Sequence, residues 1–356
     1  MLYTLRLHRE KLILSGKDMT VYVLGAGASK HVGYPLASTM GAELIAWMSK
    51  REEYRYTAEF TKEKFGNSPN IEAVITSLDA YIKSLRGCEE LEDRLQRSNA
   101  AHQRGKLREA VPVWFTEIHA NPAPAYQEFA ERLVQSGDVI ITFNYDDSLE
   151  RELKRVGKWD VSQGYGFQIG SLIQPSPVLV LKLHGSMNWL VSIFGGITSG
   201  AFAASDNSSL GQCPCIATDY LKYLGYADMT GTFPGGGGFP SLILPGRTKE
   251  FYYETSFGPE HEEFFSSLWS QAAAALRRTD ELIICGYSLL PVDERACDLL
   301  LNAPPKESTI VVVSGRDGKR IGEAFRDAGF QNTECPDSGY FETWLESTKA
   351  SVAKAP

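Results

Sequence analysis

The residues best placed to do chemistry are few, and they lie at the ends of apolar runs. "VYVL" (21–24) passes straight into Gly25-Ala26-Gly27-Ala28-Ser29. Two glycines in so small a turn allow positive φ and close backbone approach, so several N–H groups can face an anion where a helix begins. "ITFNYDDSLE" (141–150) ends a second run at Phe143 and delivers Asn144, Asp146 and Asp147. "VLKLHGSMNW" (180–189) repeats the device with His184, and Gly185 permits a sharp turn after it. An imidazole at a strand end, with a second polar strand end at Asn144, reads as catalytic rather than structural. "IICGYSLLPVDE" (283–294) and "VVVSGRD" (311–317) end further runs in Gly286, Ser288 and Ser314. These small residues leave room for a flat ring and a ribose against the backbone.

Each signal has a bland counterpart. The glycine turn could join strand to helix with no ligand. It departs from G-x-G-x-x-G because position 30 is Lys, and it lacks the G-K-[ST] ending of a P-loop. It suggests a diphosphate while fitting neither of the common phosphate-binding patterns. Asp147 reads as the cap of the helix that follows. Asn144, one residue past its strand, is harder to explain as a cap.

The elements that must position these residues are legible as runs of Val, Ile and Leu. Strands are expected at 21–24, 138–143, 177–183, 241–244, 281–286 and 308–315. The runs are nearly continuous rather than alternating, as suits strands covered on both faces of a parallel sheet. Helices are expected at about 146–156, 259–278, 291–302 and 317–328. This alternation predicts an α/β fold with a doubly wound, mostly parallel, Rossmann-like sheet whose carboxyl edge carries the site. Residues 40–137 show helices and no strand, and Ile71, Val74, Ile75, Leu78, Ile82 and Leu85 form a buried-face stripe. That stretch reads as a helical insertion beside the sheet. Residues 191–240, rich in Gly, Ser, Ala and Pro with "PGGGG" at 234–238, read as a loop or lid. The whole chain, 1–356, is expected to form a single domain.

With 36 basic and 44 acidic residues, the net charge of −8 gives no support to nucleic-acid binding. The basic stretches at 277–278 and 315–320 read as solvated faces. Six scattered cysteines suit a reducing compartment rather than a disulfide scaffold. No run approaches the roughly 20 apolar residues of a membrane span. A cytoplasmic protein is expected.

Taken in order, GAGAS, F-N-Y-D, K-L-H-G-S-x-N-W and G-Y-S-L resemble the sirtuin-like family of the prokaryotic type, over about residues 20 to 317. "NIEAVITSLD" (70–79) is similar to a segment of that family's helical insertion. The resemblance implies a site for nicotinamide adenine dinucleotide (NAD) as substrate. Gly25, Ala26, Gly27 and Ser29 would surround the diphosphate. Asn144 would hold the nicotinamide ribose and orient a nucleophile, with Asp146 supporting it. His184 would be the base or polar stabiliser at the ribose hydroxyls, and Gly286, Ser288 and Ser314 would flank the adenosine.

Two departures narrow the activity. Protein-deacylating sirtuins follow the turn with G-I-P-D-F-R, whereas this chain has Gly33-Tyr34-Pro35-Leu36-Ala37-Ser38. They also carry a zinc ribbon of two C-x-x-C pairs; here only Cys213 and Cys215 are close, so no metal is expected. The expected reaction is hydrolysis of NAD to nicotinamide and ADP-ribose. Relatives of this type are associated with anti-phage defence, where the trigger would be assembly into a homo-oligomer, an activating partner chain or a small signal. The alternatives are a zinc-free deacylase, a module that holds NAD or ADP-ribose without cutting it and, least favoured because of Lys30, a dehydrogenase.

Overall fold

A computed structural model describes residues 19–85, 87–167, 175–192, 202–203, 215–217, 238–242, 259–291, 293–337 and 339–352. The chain enters through β1 (Thr20–Leu24), the short helix α1 (Ala26–Ser29) and a 3₁₀ turn at 30–32. Five helices follow before the next strand: α2 (Met40–Met48), α3 (Glu52–Phe65), α4 (Ile71–Ser84), α5 (Leu91–His119) and α6 (Pro124–Arg132). Asn70 starts α4 by accepting the Ala73 N–H at 3.2 Å. Ile71, Val74, Ile75 and Leu78 of the expected stripe are buried, each burial worth about 1.5–3 kcal/mol.

Next come β2 (Val139–Thr142), α7 (Ser148–Arg155), β3 (Leu179–Lys182) and β4 (Gly185–Ser192). Short strands β5 (Phe202–Ala203), β6 (Cys215–Ala217) and β7 (Gly238–Leu242) precede α8 (Pro259–Leu276). The chain closes with β8 (Glu281–Cys285), α9 (Glu294–Asn302), β9 (Thr309–Val313), α10 (Gly318–Asp327), β10 (Thr333–Glu334) and α11 (Phe341–Val352).

The main sheet runs β10-β9-β8-β1-β2-β3, with every pair parallel. Its central strands are apolar on both faces because helices cover both, and β2 is buried at every residue. Counted within this sheet, the order is 3-2-1-4-5-6, the doubly wound arrangement in which strand order reverses beside the first strand. The reversal falls between β1 and β8. Ligands of such sheets bind outside the carboxyl ends of the strands at this point.

One expectation changes here. Ser241 and Leu242, the described part of the "SLIL" run, do not join the parallel sheet: they lie in β7, which pairs antiparallel with β4 in a second sheet of order β5-β6-β4-β7. Gly185, at φ +81°, turns the chain out of β3 into β4, so the main sheet ends at β3. Within 191–240 the described residues are all in strands of this second sheet, and the rest of the expected lid lies outside the described residues. Among the described residues no helix is long and apolar enough to cross a membrane.

Candidate active site

Register places the candidate residues along one edge. Leu24 pairs with Thr142 and Cys285, Thr142 with Lys182, and Cys285 with Val313. The ladder continues one step past the strands, through Phe143 N–H to Leu24 O (3.1 Å), Leu183 N–H to Thr142 O (3.1 Å) and Gly286 N–H to Val313 O (2.8 Å). Gly25, Asn144, His184, Gly286 and Ser314 therefore all stand just beyond the carboxyl edge.

The glycine turn works differently from the sequence expectation. Gly25 is extended at φ −115°, ψ −175°, and Gly27 is helical; the positive φ belongs to Gly286, at +61°. Gly25 N–H donates to Cys285 O at 3.0 Å and Gly27 N–H to Gly286 O at 2.9 Å. These two donors hold the turn against the end of β8 rather than pointing outward. A Cβ on Gly25 would meet Tyr287 Cα at 2.6 Å, and one on Gly27 would meet Gly286 Cα at 2.7 Å. The glycines permit backbone to pack on backbone at the switch point. Gly286→Ala would force a Cβ to 2.6 Å from Gly27 Cα and still closer to Ala28 N, at a φ that L-residues avoid. We expect it to destabilise the protein by about 2 kcal/mol or more, read from the denaturant midpoint. A loss below about 0.5 kcal/mol would contradict the tight packing.

Ser29 is the hub of the site's polar network. Its hydroxyl donates to Asp146 Oδ2 at 2.7 Å and accepts from Asn144 Nδ2 at 2.9 Å and Tyr126 OH at 2.6 Å. That uses the full capacity of a hydroxyl, so Ser29 faces inward and fixes its neighbours. Asn144 Nδ2 also donates to Gly25 O at 2.9 Å, which ties the end of β2 to the turn after β1. Asp146 Oδ1 accepts the Ser148 N–H at 3.2 Å. Beneath it Lys182, with 0% of its surface exposed, donates to Asp146 O and to Glu150 Oε1, the latter at 2.8 Å. Burial raises the carboxyls of Asp146 and Glu150 above the usual range, against the opposing pull of Lys182 on both. Asp147 occupies the N-cap position of α7, yet its side chain makes no cap bond and lies 2.8 Å from His119 Nδ1. The capping expectation placed the residue correctly and its side chain wrongly, because a buried partner from α5 outcompetes the helix N–H groups.

His184 is 9% exposed at the end of β3. Its ring meets Phe143 edge-on with centroids 5.0 Å apart, and Phe143 stacks on Tyr287 at 4.4 Å. Its Nε2 lies 3.7 Å from Asp293 Oδ2, which also accepts the Tyr287 hydroxyl at 3.2 Å. Phe143 thus joins the cluster around His184 to the network around its own neighbour, Asn144. Ser288 is half-buried, and its carbonyl accepts from Arg320. Ser314 Oγ is buried at the end of β9 and has no hydrogen-bond partner among the described residues. Ala26 is half-buried in α1.

Tyr126, Lys182, Tyr287 and Asp293 were not anticipated as members of this site. Lys182 did carry a signal: a lysine inside "VLVLKL" must be buried, and a buried ammonium needs carboxylates. Tyr126 and Asp293 reach the site from distant elements and carry no local pattern.

His31, beside the turn, makes a bond from Nδ1 to Ala28 O at 2.9 Å and buries Nε2 without a hydrogen-bond partner among the described residues. Burial lowers its pKa, against the opposing influence of the Ala28 carbonyl and the Glu342 and Asp146 carboxylates. The folded state therefore favours the neutral ring. Its contribution is complete above the ordinary imidazole value of about 6.5 and is lost as pH falls through the depressed folded value. Thermal melts should show a smaller acid-side fall in Tm for His31→Phe than for the wild type; equal falls would contradict this.

Among the described residues no group of three or more His, Cys, Asp or Glu side chains is arranged to hold a metal. No protein-family model matches the sequence, and no curated protein matches it. Solved structures do align along most of the chain. A Sir2 homologue solved with NAD is 14% identical, with 97% of this chain and 94% of that one covered at a TM-score of 0.45. A Sir2 enzyme from a study of mechanism and regulation is 16% identical, with 97% and 98% covered at 0.43. A mutant Sir2 homologue with 2′-O-acetyl-ADP-ribose is 13% identical, with 97% of each chain covered at 0.45. Likeness at this level carries no weight for activity, and the doubly wound α/β assignment rests on the strand order itself.

Proposed function

We propose that this chain is a sirtuin-like enzyme that binds NAD across the carboxyl edge of its sheet and hydrolyses it to nicotinamide and ADP-ribose. One observation carries the reading: one strand from the switch point of a doubly wound sheet, the Asn144 amide is locked between Gly25 O and Ser29 Oγ, and His184 stands one strand further on. The residues present also fit the adenosine end, since the buried, unpartnered Ser314 hydroxyl is a group that a ribose hydroxyl satisfies.

The substrate supplies a weak bond, because nicotinamide leaves as a neutral molecule with the bonding electron pair and positive character develops on the ribose. Asn144 has both amide hydrogens engaged, so Oδ1 is the atom that takes a hydrogen bond from the attacking water. His184 accepts the proton that water loses on bonding to the sugar carbon, then returns it to solvent. Ser29, Asp146, Lys182 and Glu150 hold Asn144 from behind, so its amide needs no reorganisation during reaction. Residues 40–137 serve as an insertion that backs the site, through Tyr126 on Ser29 and His119 on Asp147.

Purified protein incubated with NAD tests the reading by chromatography. Equimolar nicotinamide and ADP-ribose support it; unchanged NAD under all conditions of assembly contradicts it. The sequence resemblance extends the proposal to anti-phage defence in the cytoplasm, with NAD depleted after infection. Cellular NAD that stays constant through phage challenge would contradict that extension. A second reading, a module that binds NAD or ADP-ribose without cutting it, is favoured by the burial of His184 beside Tyr287 and Asp293. Tight binding with no turnover would support it.

A further inference from the structure

We infer that Asp293 is a positioning residue for His184, its carboxylate orienting the imidazole and compensating the charge the ring acquires on taking a proton. The inference rests on the reading of His184 as proton acceptor. Its ground is an aspartate that forgoes its ordinary task. Asp293 is the N-cap of α9, where an aspartate usually accepts an N–H of the first turn, yet its side chain makes no such bond. The backbone part of the cap is intact, with Cys297 N–H donating to Asp293 O at 2.9 Å and Asp293 N–H to Leu290 O at 2.9 Å. The carboxylate turns instead toward the sheet edge, where Oδ2 accepts the Tyr287 hydroxyl at 3.2 Å and stands 3.7 Å from His184 Nε2.

The segment that delivers it is built for the purpose. It follows β8, and its described residues meet Phe143 beyond β2 through Tyr287 and His184 beyond β3 through Asp293. Leu289 holds a positive φ of 44°, which a branched side chain adopts only where surrounding contacts enforce it. Arg320 of α10 grips the segment by donating to Ser288 O and, at 3.3 Å, to Leu289 O. Stacking of Tyr287 on Phe143 at 4.4 Å fixes the hydroxyl that aims the carboxylate. The Tyr287 phenol is pushed well up by burial first and by the Asp293 carboxylate next, so it remains a proton donor to that carboxylate.

Phe143 presents a neutral edge to the ring, and the segment after β8 brings Tyr287 and Asp293 to it. Among these, Asp293 is the anion within 4 Å of the imidazole. An opposite charge at that range favours the protonated ring.

The test uses the full-length protein and follows His184 by NMR titration, its signal assigned among six histidines by loss in His184→Gln. Asp293→Asn should move the imidazole midpoint to lower pH, and Asp293→Glu should restore it. In the NAD assay, Asp293→Asn should lower kcat about tenfold with KM changed less than about twofold, and the acid limb of the pH profile should follow the imidazole downward. A merely structural aspartate would move neither the midpoint nor that limb. Should Asp293→Asn fail to fold, Asp293→Ser, which can still cap α9 but carries no charge, makes the same test with a shift in the same direction. An unmoved midpoint in a folded variant overturns the inference. If the wild type releases no nicotinamide, the hydrolase reading fails, and the titration alone still decides the role of Asp293.

Discussion

Lys182→Met is expected to destabilise the protein by about 3–5 kcal/mol, the usual cost of stripping one partner from a buried ion pair. The lysine is fully buried in β3, and its ammonium is shared between Asp146 O and Glu150 Oε1. A methionine fills similar volume and leaves the Glu150 carboxylate in an apolar surround with nothing to balance it. Burial already holds Glu150 and Asp146 above the ordinary carboxylate range, with Lys182 pulling the other way. Removing the lysine should raise both further, so the variant regains stability as the medium is acidified toward protonation of the acids. Urea unfolding should show a lowered midpoint with little change in slope. The double variant Lys182→Met, Glu150→Gln should recover part of the loss. A single variant within about 1 kcal/mol of wild type would mean that the cluster does not hold the 144–150 segment.

The second large effect is on activity. Asn144→Ala and His184→Ala are each expected to lower kcat/KM for nicotinamide release by about 10²–10⁴-fold. The two losses act through one transition state, so the double variant should cost much less than their product. Asn144→Ala also leaves Gly25 O and Ser29 Oγ without their amide donor, a change that a thermal melt reports separately. Each effect is measured with NAD under saturating and limiting concentrations. Equal rates in wild type and either variant would remove that residue from the mechanism.

Much of this architecture was legible in the residues, for a physical reason. Strands β1, β2, β3, β8 and β9 are buried on both faces, so their Val, Ile and Leu runs stand out without knowledge of any neighbour. The same rule misplaced Ser241 and Leu242, because apolar composition cannot tell a parallel from an antiparallel partner. Strand β4 was hidden because it begins immediately after His184, where a glycine turn suggested a loop. Strand β10 has two residues and no pattern to read. At the site, the polar strand ends were visible as types and spacing. What the glycines do was not, since contact between Gly27 and Gly286 depends on β1 lying beside β8. The inward aim of Ser29 and the cap position abandoned by Asp293 are likewise set by neighbours remote in the chain.

The central claim is that NAD lies across this edge with its nicotinamide ribose between Asn144 and residue 184. A crystal structure of His184→Ala bound to intact NAD tests it most directly. The account predicts the reacting sugar carbon beside Asn144 Oδ1 and the adenosine ribose at Ser314. A dinucleotide bound elsewhere, or bound with its nicotinamide ribose away from Asn144, would contradict it.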